Sequence, residues 1–347
     1  MRLAAGFVML LGLAAGASLA RAGPADKRLE VYWIDVEGGA ATLIVTPAGE
    51  SVLVDTGFPG GRDSGRIHRL ATAVAGLKRI DHLVVTHYHV DHFGGVAELA
   101  GLLPIGALYE HGIESAPGDE RADPRLEAYR QAKVGKRVLV QPGDEIPLKQ
   151  TPGAAPLRFR FLGARQDFVY PSPARSNETI CKGATGQEAD PSDNANSVVM
   201  LLEQGPFRFF DGGDLTWNVE GRLVCPVDRV GAVDVYQSDH HGADSSNNPV
   251  LVRTFAPTVV VVNNGPRKGG EKDSLATARS VASVQDVYQV HRNVREGALN
   301  TEAALTANRD ESCAGDYLKL SVDAGGKTYA LSVPSTGHQK AYETKGR

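Results

Sequence analysis

Four metal-binding side chains fall within six positions of this chain, in the run His87-Tyr-His-Val-Asp-His92. Imidazole and carboxylate are the ligands that suit zinc and related divalent metals. The i, i+2 spacing of His87 and His89 in a turn lets both face one ion, and Asp91 and His92 can serve a second. Three of the ten histidines gathered here argue against the plain alternative of a polar surface loop. The chemistry that follows is hydrolysis. A bound divalent ion lowers the pKa of its water from about 15.7 towards 7, and a second ion about 3.5–4 Å away stabilises the leaving group.

Such a cluster has to be held by something rigid. The apolar run Ile80–Thr86 reads as a buried strand that ends directly in His87. Gly94-Gly95 and an apolar helical run to Leu103 follow, so the four residues sit on a strand-to-helix loop. Functional groups collect at the carboxyl ends of strands in α/β sheets. Upstream, Val31–Val36, Ala41–Thr46 and Ser51–Asp55 are short β-rich runs separated by turn residues, and a helical stretch is expected near Ile67–Leu77.

His-x-His-x-Asp-His, preceded by Asp55-Thr-Gly57, resembles the signature of the metallo-β-lactamase superfamily. The resemblance implies an α/β (α+β) fold, a four-layer αββα sandwich with the site where strand ends converge. It also implies further ligands. Phe209-Phe-Asp-Gly-Gly-Asp214 fits the strand that ends in a metal-bridging Asp, with Asp214 preferred and Asp211 the fallback. Val233–Gly242 fits the strand whose end supplies the last His, with His240 ranked ahead of His241. In that reading His87, His89 and Asp214 hold one ion; Asp91, His92, Asp214 and His240 hold the other. Asp91 also orients the attacking water as the catalytic residue. Two divalent ions are implied, zinc first and manganese as the alternative.

Within the superfamily the pattern is most similar to the extracytoplasmic hydrolase domain of DNA-uptake competence proteins. The shared motifs are Asp35-Val-Glu-Gly-Gly39, Asn194-Ala-Asn-Ser197, Gly213-Asp214 and His240-His-Gly242, spread over about Glu30 to Pro334. One departure concerns the third His ligand of the lactamase and lactonase branches. The sole histidine between His92 and Asp214 is His111, which stands earlier than the family position. His111 is a ligand or a pocket-lining residue, and Asp193, Asn194 or Asn196 are the substitutes for that side. Asp55 either holds a ligand histidine through its ring N–H or caps a turn. His291 ends an apolar run and either faces the site or simply ends a strand. Arg267, Lys268 and Lys272 belong to a Gly-rich loop that is solvated or rims an anion site.

The net charge of -4 over 347 residues supplies no global basic field, so charge does not support nucleic acid as a partner. A small molecule or a phosphodiester is the expected substrate. Residues 1–22 carry Arg2, an apolar run and Ala20-Arg-Ala22, which reads as a cleaved signal peptide rather than a permanent membrane anchor. The expected location is periplasmic or secreted, where disulfides form. Three cysteines, Cys181, Cys225 and Cys313, allow one disulfide and leave one thiol. Residues 23–347 are expected to form a single hydrolase domain with a core at about 30–334 and a long loop at about 163–196. That loop is either a lid or an insertion pinned by Cys181. The function expected is an exported metal-dependent hydrolase acting as a phosphodiesterase or nuclease. The alternatives are a β-lactamase or lactonase, and a non-catalytic binding module. The residues leave oligomeric state undetermined.

Overall fold

Strands whose two faces are both apolar must be covered on both sides, and this chain has many of them. In β1 (Leu29–Ile34), Leu29, Val31 and Trp33 enter one core, while Tyr32 and Ile34 enter another. In the second half Val259 and Val261 of one strand face the first core, and Val260 and Val262 face a third. The period of two along each strand separates the faces.

The computed structural model describes residues 26–169 and 175–346. The expected signal peptide lies outside them. After β1 come β2 (Thr42–Val45), β3 (Ser51–Val54), β4 (Ile80–Val84), β5 (Ile105–Glu110) and β6 (Val134–Leu139). Then follow β7 (Glu145–Ile146), β8 (Leu157–Ala164), β9 (Asp167–Phe168) and β10 (Arg175–Ser176). The next are β11 (Val199–Gln204), β12 (Phe207–Asp211), β13 (Val227–Asp228), β14 (Val235–Gln237), β15 (Val259–Val262), β16 (Asp286–His291) and β17 (Thr306–Asn308). Last are β18 (Tyr317–Val322), β19 (Thr328–Val333) and β20 (His338–Glu343).

One sheet runs β20-β19-β18-β1-β2-β3-β4-β5-β6, so the C-terminal strands return to the side of β1. The other runs β17-β16-β15-β14-β12-β11-β8-β7, with β9 paired to β8. Trp33, Phe159, Phe161, Phe209 and Tyr288 fill the space between the sheets. The helices Arg62–Arg69 and Val96–Leu102 flank the first sheet, and Trp217–Val224 and Pro249–Phe255 the second. This is the four-layer αββα sandwich. Truncating a residue such as Phe161 to Ala would cost about 3–5 kcal/mol, since no solvent reaches it.

The helix expected near Ile67–Leu77 begins earlier, at Arg62, and widens into a π-turn over Leu70–Val74. The 163–196 stretch holds β9, β10, a short helix (Glu178–Cys181) and a 3₁₀ turn (Asp193–Asn196). Cys181 is bonded to Cys225, leaving Cys313 as the free thiol. Among the described residues no helix is long and apolar enough to cross a membrane.

Candidate metal centre

β4 runs parallel to β3 and β5, and its carboxyl end delivers Thr86 and His87 to the edge where the two sheets meet. The chain then turns, and Asp91 and His92 lie in the single helical turn Val90–Phe93. Close packing fixes that turn. A Cβ on Gly39 would lie 2.5 Å from the Asp91 carbonyl oxygen, so only glycine fits there. From the second sheet, β12 ends at Asp211, and Gly213, at φ 60°, turns the chain so that Asp214 follows. β14 ends just before the turn Asp239–Gly242, which carries His240 and His241.

These segments bring Asp91, His92, Asp214 and His241 together, all buried. Asp91 Oδ2 lies 3.4 Å from His92 Nε2 and 3.2 Å from His241 Nε2. Asp214 Oδ2 lies 3.2 Å from His92 Nε2 and 3.3 Å from His241 Nε2. The two imidazole nitrogens are 3.2 Å apart. Ligand atoms placed tetrahedrally around an ion with bonds of about 2.0–2.1 Å are separated by about 3.3 Å. Five edges of this group match that spacing. His87, His89 and Asp214 form a second group that shares Asp214, with His87 Nε2 3.9 Å from Asp214 Oδ2. His87 is fully buried and its Nε2 has no hydrogen-bond partner among the described residues, as befits a nitrogen kept for a metal. The donor set therefore fits two divalent ions.

Hydrogen bonds aim the ligands. His92 Nδ1 donates to Asp55 Oδ2 at 2.7 Å, which turns Nε2 towards the cluster. Asp55 also accepts from the Thr86 N–H and hydroxyl, so it acts on His92 rather than as an isolated turn cap. Burial, with His92 nearby, pushes His87 well below the usual histidine range, so the ring is neutral and able to bind metal. Burial opposes charge on Asp214, but the imidazoles of His241, His92 and His240 outweigh it and hold the carboxyl well below its usual range. Asp91 is depressed in the same way against burial, by His92 and His241.

The two adjacent histidines are separated by geometry. His241 is in the four-group cluster, whereas His240 Nε2 stands outside it, 3.6 Å from Asp214 Oδ2, with Nδ1 near the hydroxyls of Ser245 and Ser246. The residue ranked second from the sequence thus occupies the position expected of the first. Both have left-handed backbones, φ 52° and 55°, a conformation that costs roughly 1–2 kcal/mol per residue. His111 is apart from both groups: Nε2 pairs with Asp193 Oδ2 at 3.0 Å, and that oxygen also accepts the Tyr88 N–H. The His111–Asp193 pair therefore braces the segment between His87 and His89. Asn194 hydrogen-bonds Asp190, and Asn196 hydrogen-bonds Asp193. Asp211 accepts from the Gly213 N–H and lies outside both groups. His291 sits with Asp35 and Cys313 instead. Lys268 reaches Asp91 Oδ2 with its ammonium, a contact that the loop composition alone did not single out.

Residues 34–170 match the sequence profile of the metallo-beta-lactamase superfamily. The match takes in less than half of the chain, and over that segment the chain is similar to this superfamily. Competence protein ComA of Neisseria gonorrhoeae is 24% identical over 242 residues, covering 70% of this chain and 28% of the relative. ComE operon protein 3 of Bacillus subtilis is 26% identical over 191 residues, 55% of this chain and 20% of the relative. A UPF0173 metal-dependent hydrolase of Polynucleobacter asymbioticus is 35% identical over 85 residues, 24% of this chain and 28% of the relative. The chain thus spans less than a third of the length of these curated relatives. Among solved structures, CmlA, a diiron beta-hydroxylase from Streptomyces venezuelae, aligns with TM-score 0.39 and 16% identity, covering 74% of this chain and 47% of that one. With the site described above, the chain combines a metallo-β-lactamase-type match over residues 34–170 with a candidate two-ion donor set on an αββα sandwich.

Proposed function

We propose that this chain is an exported metal-dependent hydrolase that cleaves small phosphodiesters with two zinc ions, manganese serving as the substitute. His87, His89 and Asp214 would hold one ion, and Asp91, His92, His241 and Asp214 the other. The observation that carries this reading is the set of 3.2–3.4 Å separations among the four ligand atoms of the second group. When bound, the ions supply an activated water near neutral pH and a Lewis acid for the leaving oxygen.

The chain's own residues do the rest. Asp55 and Thr86 orient His92, and Asp193 holds the Tyr88 N–H between two ligands. The group with three protein ligands is the one suited to receive water or substrate, since structural sites are closed by four. Lys268 brings a half-exposed ammonium to Asp91, where it can meet an anionic group of the substrate.

Substrate size follows from the approach to the site. A cavity of about 360 Å³ is lined by Tyr88, His89 and Asp91 together with Asp119, Glu120, Asp123 and Arg125, the last of which pairs with Asp123 and leaves three carboxylates in excess. That many carboxylates repel a polyanion, so a small ester suits the approach better than a nucleic-acid strand. The resemblance to the hydrolase domain of DNA-uptake competence proteins, with competence protein ComA among the similar proteins, favours the phosphodiester over other esters. A lactam or lactone is the second reading, favoured by Lys268 as a single cation that suits one carboxylate. Export is supported by the Ala20-Arg-Ala22 pattern and by the Cys181–Cys225 disulfide.

Metal analysis of the purified protein, coupled to turnover of bis-p-nitrophenyl phosphate and a chromogenic cephalosporin after loading with zinc or manganese, tests the reading. At least two ions per chain with phosphodiester cleavage uphold it. Cephalosporin cleavage alone replaces it with the second reading, and recovery of the protein only in the cytoplasmic fraction removes export.

A further inference from the structure

We propose that Asp35, His291 and Cys313 form a separate, mononuclear site for a zinc-class divalent ion. One ligand atom from each lies within 4.8 Å of the others. The three arrive from distant parts of the fold. Asp35 follows β1 in the first sheet, His291 ends β16 in the second, and Cys313 lies between β17 and β18.

His291 carries the inference. Its ring is fully buried, and Nδ1 lies 2.8 Å from the Arg292 carbonyl. A carbonyl only accepts, so Nδ1 holds the proton and Nε2 presents a lone pair. That Nε2 has no hydrogen-bond partner among the described residues. Leaving a buried acceptor unmatched costs about 1–3 kcal/mol. An ion held also by the neighbouring carboxylate and sulfur satisfies it.

The other two donors are complementary. Cys313 Sγ–H donates to Asp35 Oδ2 at 2.9 Å. Burial and the Asp35 carboxylate push the thiol up to about 11, so it is protonated at neutral pH until a metal displaces the proton. Binding then forms one metal–sulfur bond and releases one proton to solvent per ion. Thiolate and carboxylate together neutralise a divalent ion. Arg66 nearby donates to Glu37 and to the carbonyls of Asp35 and Cys313, and its guanidinium also lies 3.5 Å from Asp35 Oδ2 and 3.7 Å from Cys313 Sγ, contacts that an incoming ion would replace while Glu37 keeps its hold on Arg66. A surface cavity of about 260 Å³, lined by Asn308, Asp310, Ser312, Cys313 and Asp316, gives the ion and a fourth, water ligand a way in.

Sulfur and imidazole select zinc over manganese, magnesium or calcium. The ion would clasp one sheet to the other beside the turn Glu37–Gly39, next to which the Ala40 N–H donates to the Asp91 carbonyl.

Cobalt tests the site directly. The His/Asp centre contains no cysteine, and Cys181 and Cys225 are joined to each other. A thiolate-to-cobalt charge-transfer band in the near ultraviolet therefore reports Cys313 alone. The band is expected in the cobalt-loaded wild-type chain and in His89→Ala, and absent in Cys313→Ser, which binds one ion fewer. His291→Gln is expected to weaken the cobalt affinity read from the band by about tenfold or more. A wild-type chain saturated with cobalt that shows no such band overturns the proposal without reference to any variant, and so does a band that survives in Cys313→Ser.

Discussion

His92 donates a hydrogen bond from its Nδ1–H to Asp55 Oδ2 across 2.7 Å, and this bond selects the ring nitrogen that faces Asp91, Asp214 and His241. Asp55 itself sits at φ 61°, where Asn is tolerated and most other residues are strained. Asp55→Asn should therefore keep the backbone while losing the charge behind His92. Metal affinity is expected to fall by roughly 10–100-fold, with little change in the fold. A competition titration against a chromogenic chelator reads the affinity, and an unchanged value would remove Asp55 from the positioning role.

The adjacent histidines give a second prediction. His241→Ala should lose one ion per chain and nearly all turnover, because it takes away a ligand atom 3.2–3.3 Å from both carboxylates. His240→Ala should retain both ions. Metal counting by mass spectrometry separates the two, and the reverse pattern would return His240 to the ligand position.

Chelation should destabilise the protein. The centre gathers Asp91, Asp214 and three imidazoles in buried surroundings, and ions that bind only the folded state add to its stability. Free metal at a hundredfold excess over the dissociation constant contributes about 2.7 kcal/mol per site. Removing it should lower the melting temperature by several degrees, and zinc should restore it. A melting temperature indifferent to chelator and zinc would argue against occupancy.

Glu220 and Asp239, a hydrogen-bonded pair of buried carboxyls beside the turn that carries His241, provide a pH signature. The Glu220 carboxylate accepts the N–H groups of Asn247 and Asn248 at 2.8 and 2.7 Å, and burial raises it from 4.5 to about 7. The folded chain then keeps a proton that the unfolded chain has released, so this stabilising contribution is complete below about 4.5 and fades as pH rises to about 7. In Glu220→Gln the corresponding fall should shrink, with the share of buried Asp239 remaining. Urea midpoints for both proteins across this window supply the difference, and parallel curves would contradict the assignment.

The ligand run was legible because it is local: six consecutive positions carry four donors, directly after a strand read from its apolar pattern. The sandwich was legible through the resemblance and through strands apolar on both faces. The choice between His240 and His241 was not, since it depends on two consecutive left-handed residues that neither propensity nor spacing encodes. His111 was misleading for a related reason. It lies near the centre in space, but Asp193, 82 residues away, takes its Nε2. The Asp35–Cys313 contact spans 278 residues, beyond the reach of any local pattern.

The ligands of the centre are divided between the halves of the chain. His87, His89, Asp91 and His92 follow a strand of one sheet, and Asp214 and His241 follow strands of the other. Neither half owns a complete binding set, and no early folding unit can capture an ion tightly while the other is missing. Metal uptake thereby becomes an inspection of the finished molecule: only a chain that has assembled both layers correctly is charged for work, and a half-folded one stays inert.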